Sequence, residues 1–270
     1  MKNPLINLKL RKEERGISIV ELLIALPIIS IILVTLISAL FILYTSALAE
    51  SARSNLRTSG QTLLINLQDE LLFTISYGET IDVLLTDPFE PSGGWVYDSS
   101  PETLIINEVA LDSTRRDDTR NIIRQLINPC ATSIPTANPV AINSIIYYVE
   151  DNPDSDYDYF KKRTVTPEYS LCAIDTVTGD PCEPLSSTCR GNAKVTTCPQ
   201  ASVGTGTCGD ADSILSENVI SLELTYFAEG NIETAFPSAA DKIEIVLTMG
   251  DKVFGKVIET EVKHTIRKIN

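Results

Sequence analysis

Histidine is almost absent from this 270-residue chain, which holds only His264, and none of its six cysteines forms a Cys-x-x-Cys pair. Zinc draws its ligands from clustered His and Cys, so both shortages weigh against a zinc site. No glycine-rich loop follows a strand-like run to cradle a phosphate, because Gly204-Thr205-Gly206 lies in a stretch dominated by Thr, Ser, Gly, Pro and Cys. With no nucleophile and base in view, no catalytic residue, cofactor or metal is expected, and the chain does not read as an enzyme. Basic residues are few too, 22 Lys and Arg against 36 Asp and Glu, for a net charge of −14. Such a surface repels nucleic acid, and no direct nucleic-acid contact is expected. The one dense basic run, Lys161-Lys162-Arg163, reads as a solvated strand end, with a weaker group at Lys263, His264, Arg267 and Lys268.

Charge is scarcest near the N-terminus, where Glu21 is the only charged residue of either sign among the 33 residues 17–49. The uncharged residues 22–43 would make about 33 Å of helix, enough to cross a hydrocarbon core of about 30 Å. Ahead of them, residues 1–16 carry five basic and two acidic side chains, a net positive flank that should stay in the cytoplasm. Without that leader the remaining chain holds 17 basic and 34 acidic residues, net −17. The expected topology is a single-pass cytoplasmic membrane protein, N-terminus in, with the C-terminal bulk extracytoplasmic.

A carboxylate inside such a segment costs about 2.5 to 3.5 kcal/mol at mid-membrane and marks a partner or a function. The run Arg15-Gly16-Ile17-Ser18-Ile19-Val20-Glu21-Leu22-Leu23 resembles the processing site of type IV pilins and the pseudopilins of type II secretion. The resemblance covers about the first 50 residues. It implies cleavage after Gly16 by a membrane aspartyl peptidase, methylation of the new amine at Ile17, and Glu21 as the fifth mature residue. It also implies partners: other pilins or pseudopilins, a prepilin peptidase, an inner-membrane assembly platform, membrane lipid and a separate cytoplasmic ATPase. Ile17 replaces the phenylalanine usual at the first mature position, and the leader has the length typical of minor subunits. In physical terms, an ammonium at Ile17 of one subunit could pair with Glu21 of the next, where a low dielectric favours the pair and penalises an orphan.

Two other readings use the same residues. Ala47-Leu48-Ala49 before Glu50 looks like a signal-peptidase site that would release a soluble protein, and a plain single-pass anchor needs no cleavage at all. Neither explains Glu21, and the apolar run is longer than the 7 to 15 residues usual for a signal peptide.

Further along, Leu56, Leu63, Leu64, Leu67, Leu71 and Ile75 recur at helical spacing, and Gly78 is a plausible stop. A helix over residues 17–77 is expected, about 90 Å long if straight and bent at Pro27. Its polar residues Arg53, Arg57, Asp69 and Glu70 are expected to face solvent or neighbouring subunits. Strands are expected at 103–109, 143–150, 159–166, 219–227, 242–249 and 253–263, with a short helix at 118–127. The paired runs at 144–149 and 159–163, and the last 52 residues, resemble the W-type minor pilins and J-type pseudopilins. The fold class expected is α+β: a long N-terminal transmembrane helix packed on a mainly antiparallel β ectodomain.

Cys130, Cys172, Cys182, Cys189, Cys198 and Cys208 all lie in the outer region, where an even count favours disulfides. Four of them fall in residues 176–212, which read as an exposed, disulfide-stapled insertion. Asp151, Asp154, Asp156 and Asp158 crowd one loop with the alternation a calcium site uses. Tyr159 stands where an EF-hand needs glycine and Val165 where it needs glutamate, so a solvated acidic turn is favoured. The organisation expected is a leader at 1–16, a helix at 17–77 and a β-rich domain at 78–270. The function expected is that of a structural minor pilin or pseudopilin in a type IV pilus or secretion-like filament, with a Cys-stapled adhesin, anchored or released, as the alternative.

Overall fold

The computed structural model describes residues 18–72, 74–82, 85–98, 102–110, 140–166, 196–204 and 208–268. The chain divides into two compact units, Met1–Glu50 and Ser51–Asn270. Helix α1, Ile19–Leu71, contributes to both and runs on through Pro27. In the first unit its apolar side chains, from Ile19 to Tyr44, are exposed.

In the second unit α1 buries Leu56, Gly60, Leu64, Leu67 and Leu71, spaced by three or four residues so that they share one face. Each fully buried leucine contributes about 1.5 to 3 kcal/mol. The helix ends six residues before the expected stop. Thr74 turns the chain, its hydroxyl donating to the carbonyls of Ser76 (3.0 Å) and Asn107 (2.9 Å), and strand β1, Ser76–Gly78, replaces the last helical turn. The β-branched Thr74 and Ile75 suit that change. Gly78 is no helix cap: a Cβ there would lie 2.7 Å from the Thr80 carbonyl oxygen, so glycine allows a close backbone approach.

The remaining strands of the main sheet are β2 (Leu104–Val109), β3 (Ile142–Glu150) and β4 (Asp158–Val165). They continue with β7 (Ser213–Ala228), β8 (Ile232–Thr234), β9 (Lys242–Val253) and β10 (Lys256–Arg267). The order is β1-β2-β3-β4-β7-β9-β10, with β8 also on β7, and every pairing is antiparallel. Two short strands, β5 (Thr197–Cys198) and β6 (Asp210–Ala211), form a separate parallel pair. This is an α+β layout.

Strand β7 joins the two halves of the sheet, its first residues on β4 and the stretch from Val219 to Phe227 on β9. Where its β4 side is free, the Glu102 carboxylate accepts the Leu224 N–H. The strand expected at 253–263 is interrupted by a turn at Phe254 and Gly255, after which β10 runs on to Arg267. The helix expected at 118–127 lies outside the described residues.

Strand β3 is buried almost throughout because both faces of the sheet are covered there. Ile145, Tyr147 and Val149 face the α1 leucines, whereas Ile146 and Tyr148 face Leu85, Trp95, Ile105 and Val165.

Candidate functional site

Ser18 and Glu21 stand at the head of α1. The Ser18 N–H donates to Glu21 Oε2 at 3.1 Å, and the Val20 N–H donates to Ser18 Oγ at 3.3 Å. This reciprocal arrangement is a capping box, which satisfies amides that the first turn of a helix leaves without partners. Its signature, Ser-x-x-Glu before an apolar run, was readable in the sequence. Gly16 and Ile17 lie outside the described residues.

The hydroxyls farther along the apolar segment turn back on their own helix. Ser30 donates to the Leu26 carbonyl (2.8 Å), Thr35 to Ile32 (2.8 Å), Thr45 to Ile42 (3.0 Å) and Ser46 to Leu43 (2.9 Å). Internal satisfaction of this kind is what hydrocarbon demands of a polar group. Among the described residues, this one helix is long and apolar enough to cross a membrane. Glu21 is thus the one charged side chain on a large exposed apolar surface, and an apolar surface of that extent calls for lipid or other helices to cover it.

A second constellation lies in the larger unit, and it corrects the sequence reading. Arg163 is no solvated strand end: its side chain is 2% exposed. Nη1 donates to Asp87 Oδ2 and to the Phe89 carbonyl, both at 2.9 Å. Nε and Nη2 take the Asp212 carboxylate as a fork, with Nη2 2.6 Å from Oδ2. Trp95 Nε1 also donates to Asp87 (2.7 Å), while Tyr148 and Thr197 donate their hydroxyls to Asp212 (2.9 and 2.8 Å). The Trp95 and Tyr148 rings flank the guanidinium at 5.2 and 5.7 Å.

Burial opposes the Arg163 charge, yet the hydrogen bonds and charge of Asp212, helped by Tyr148 and Asp87, hold its pKa above the ordinary value. Burial and the Asp212 charge push the Tyr148 hydroxyl upward, so it stays a donor. Every polar group of the cluster is matched, and its product is a clasp that holds the turn around Asp87 and the segment around Asp212 on the sheet. Lys162 faces the helix, whereas Lys161 and Arg163 share the opposite face of β4; position along the strand separates them, since Lys161 pairs with Glu150 and Arg163 lies under Asp87, Trp95 and Asp212.

Glu70 is likewise not simply solvent-facing. Half-buried on α1, it accepts the Tyr147 hydroxyl and pairs with Lys162, with Nζ 2.7 Å from Oε2. Burial first, then Glu70, drives the Tyr147 pKa upward. Asp69, Arg53 and Arg57 are exposed.

Cys198 and Cys208 form a disulfide and are both buried, whereas Gln200, Ala201, Val203, Gly204, Gly209 and Asp210 around them are exposed. The Asp212 N–H donates to the Cys198 carbonyl at 2.9 Å, so the bridge braces the residues that hold Arg163. Cys130, Cys172, Cys182 and Cys189 lie outside the described residues; among those described, no cysteine is free.

In the acidic turn, Asp156 pairs with Lys252 at 2.7 Å, and Asn152 and Ser155 hold the local amides. Among the described residues, no group of three or more His, Cys, Asp and Glu is arranged to hold a metal. His264, half-buried on β10, meets Gln68 of α1 at 2.6 Å. Sequence reasoning missed the buried roles of Asp87, Asp212 and Trp95, whose partners are distant in the chain.

No protein-family model matches the sequence, and no curated protein or solved structure matches it.

Proposed function

We propose that this chain is a structural subunit of a membrane-derived helical filament, a minor pilin or pseudopilin of a type IV pilus or type II secretion-like machine. The observation that carries the reading is Glu21, a lone carboxylate in the first turn of a helix whose residues 22–49 are uncharged and whose large apolar side chains from Ile19 to Tyr44 are exposed. The helix inserts with its basic leader in the cytoplasm. Cleavage after Gly16 creates an ammonium on Ile17, directly before the Ser18–Glu21 capping box. Lateral packing of such helices covers their apolar surfaces, and the Glu21 carboxylate neutralises a neighbour's ammonium in a medium where an orphan charge is costly. The clasped β domain presents a folded outer surface, and partner pilins, the prepilin peptidase and the assembly platform supply the rest.

Glu21→Gln and Glu21→Ala test this directly. Both variants remain in the membrane and are still processed, because removing the charge lowers the insertion cost. Their incorporation into filaments falls, and incorporation of both at the wild-type level would contradict the pairing mechanism.

An anchored or released adhesin is the competing reading. The buried Cys198–Cys208 bridge favours it, since a braced segment suits an exported binding surface.

A further inference from the structure

Strands β9 and β10 are joined through Phe254 and Gly255, both with positive φ, +51° and +76°. A two-residue hairpin of this kind closes on a pair that exchanges both backbone hydrogen bonds, here Val253 and Lys256. In steps of two from Lys256, residues 258, 260, 262, 264 and 266 also turn their N–H and C=O groups to β9. Those of Val257, Glu259, Glu261, Lys263, Thr265 and Arg267 therefore point the other way. Among the described residues β9 is the one strand beside β10, so this row is an open edge of the sheet, and all six residues are exposed.

Natural sheets blunt an open edge with proline, a bulge or charge. Strand β10 has no proline, and its register with β9 runs unbroken from Lys256 to Arg267. Its charges are sorted by sign along the exposed face, Glu259 and Glu261 first, then Lys263 and Arg267. Lys263 and Arg267 pair with Glu244 and Asp241 of the same chain, at 2.7 and 3.0 Å, whereas neither Glu259 nor Glu261 forms an ion pair among the described residues. An edge acidic at one end and basic at the other is complementary to itself when turned around.

We propose that the β10 edge pairs antiparallel with β10 of a second copy of this chain, about a two-fold axis at Val262. That register sets Glu261 of each copy opposite Lys263 of the other, with Glu259 diagonal to Lys263 and Arg267. A shift of two residues sets Glu261 against Glu261 or Lys263 against Lys263, and a shift of one sets exposed side chains against covered ones. On the covered face the same register puts Ile258 opposite Ile266 and Val262 opposite Val262. Thr260, whose buried hydroxyl has no hydrogen-bond partner, comes opposite His264. A parallel copy would instead set like charge on like. The contact is isologous and closes on itself, so it belongs to the chain apart from the head-to-tail packing of a filament.

Charge swaps test the pairing. The full chain in detergent micelles is studied by sedimentation equilibrium as parent, Glu261→Lys, Lys263→Glu and the variant carrying both changes. The parent dimerises. Each single reversal sets like charges opposite each other at both sides of the axis and raises the dimer dissociation constant about tenfold or more. The double swap restores the parent's affinity, and an equimolar mixture of the two single variants associates as well, because their strands complement each other. In the parent alone, hydrogen exchange of the amides over residues 257–267 slows as the concentration rises. A parent that stays monomeric, unchanged exchange, single reversals that associate like the parent, or a double swap no tighter than the single reversals would overturn the pairing.

Discussion

Arg163 and Asp212, 49 residues apart in sequence, meet through a buried forked ion pair, with Nη2 2.6 Å from Oδ2. Arg163→Ala would leave Asp87 and Asp212 buried without their cation, a change expected to cost about 3 to 5 kcal/mol. Chemical denaturation of the purified chain in detergent should show that loss. Lys161→Ala, two residues away but paired at the surface with Glu150, should cost about 1 kcal/mol or less.

The Cys198–Cys208 bridge should act through the same clasp. Replacing both cysteines with serine reopens a loop spanning ten residues, with an expected loss of about 3 kcal/mol. Because Cys198 and Asp212 share a backbone hydrogen bond, the loss should be less than additive with Arg163→Ala in a double-mutant cycle.

At Gly60 the helix lies tight against the sheet in the larger unit. A Cβ there would stand 2.8 Å from Met249 Sδ and 2.8 Å from Val262 Cγ2. Gly60→Val should therefore lower stability by about 1 to 3 kcal/mol through overpacking, even though glycine is the poorer helix former. Thermal unfolding of the two proteins compares them.

Glu102 carries a pH signature. Burial raises its pKa above 4.5, the Leu224 N–H pulls it back in part, and Glu223 adds to the rise. A raised carboxyl pKa means that the ionised form is the less welcome one in the fold. Its contribution is fully present below about pH 4.5 and is lost as the pH climbs through the folded-state value. Glu102→Gln keeps an acceptor for Leu224 and removes the charge. The variant should gain on the wild type between pH 4 and pH 7 in a stability–pH series; because the group is only partly buried, the gain is small.

What could be read in the sequence was local in origin. The uncharged run, the Ser18–Glu21 spacing and the β-branched stretch that becomes β3 carry their patterns within a few residues, so period and composition suffice. Arg163 could not be read this way. Its neighbours Lys161 and Lys162 make it look solvated, while the carboxylates that bury it lie at Asp87 and Asp212, 76 and 49 residues away. The same holds for Gly60, whose need for glycine comes from Met249 and Val262, and for Glu70, whose partners are on β3 and β4. The hairpin at Phe254 escaped because phenylalanine is a poor signal for a turn that requires positive φ.

The most direct test of the central claim is the N-terminal sequence of the chain recovered from membranes after co-expression with a prepilin peptidase. The account requires a methylated Ile17 as the first residue, and full-length protein when Gly16→Val places a branched side chain beside the scissile bond. A chain that starts at Glu50, one that keeps Met1, or equal cleavage of the Gly16→Val variant would contradict it.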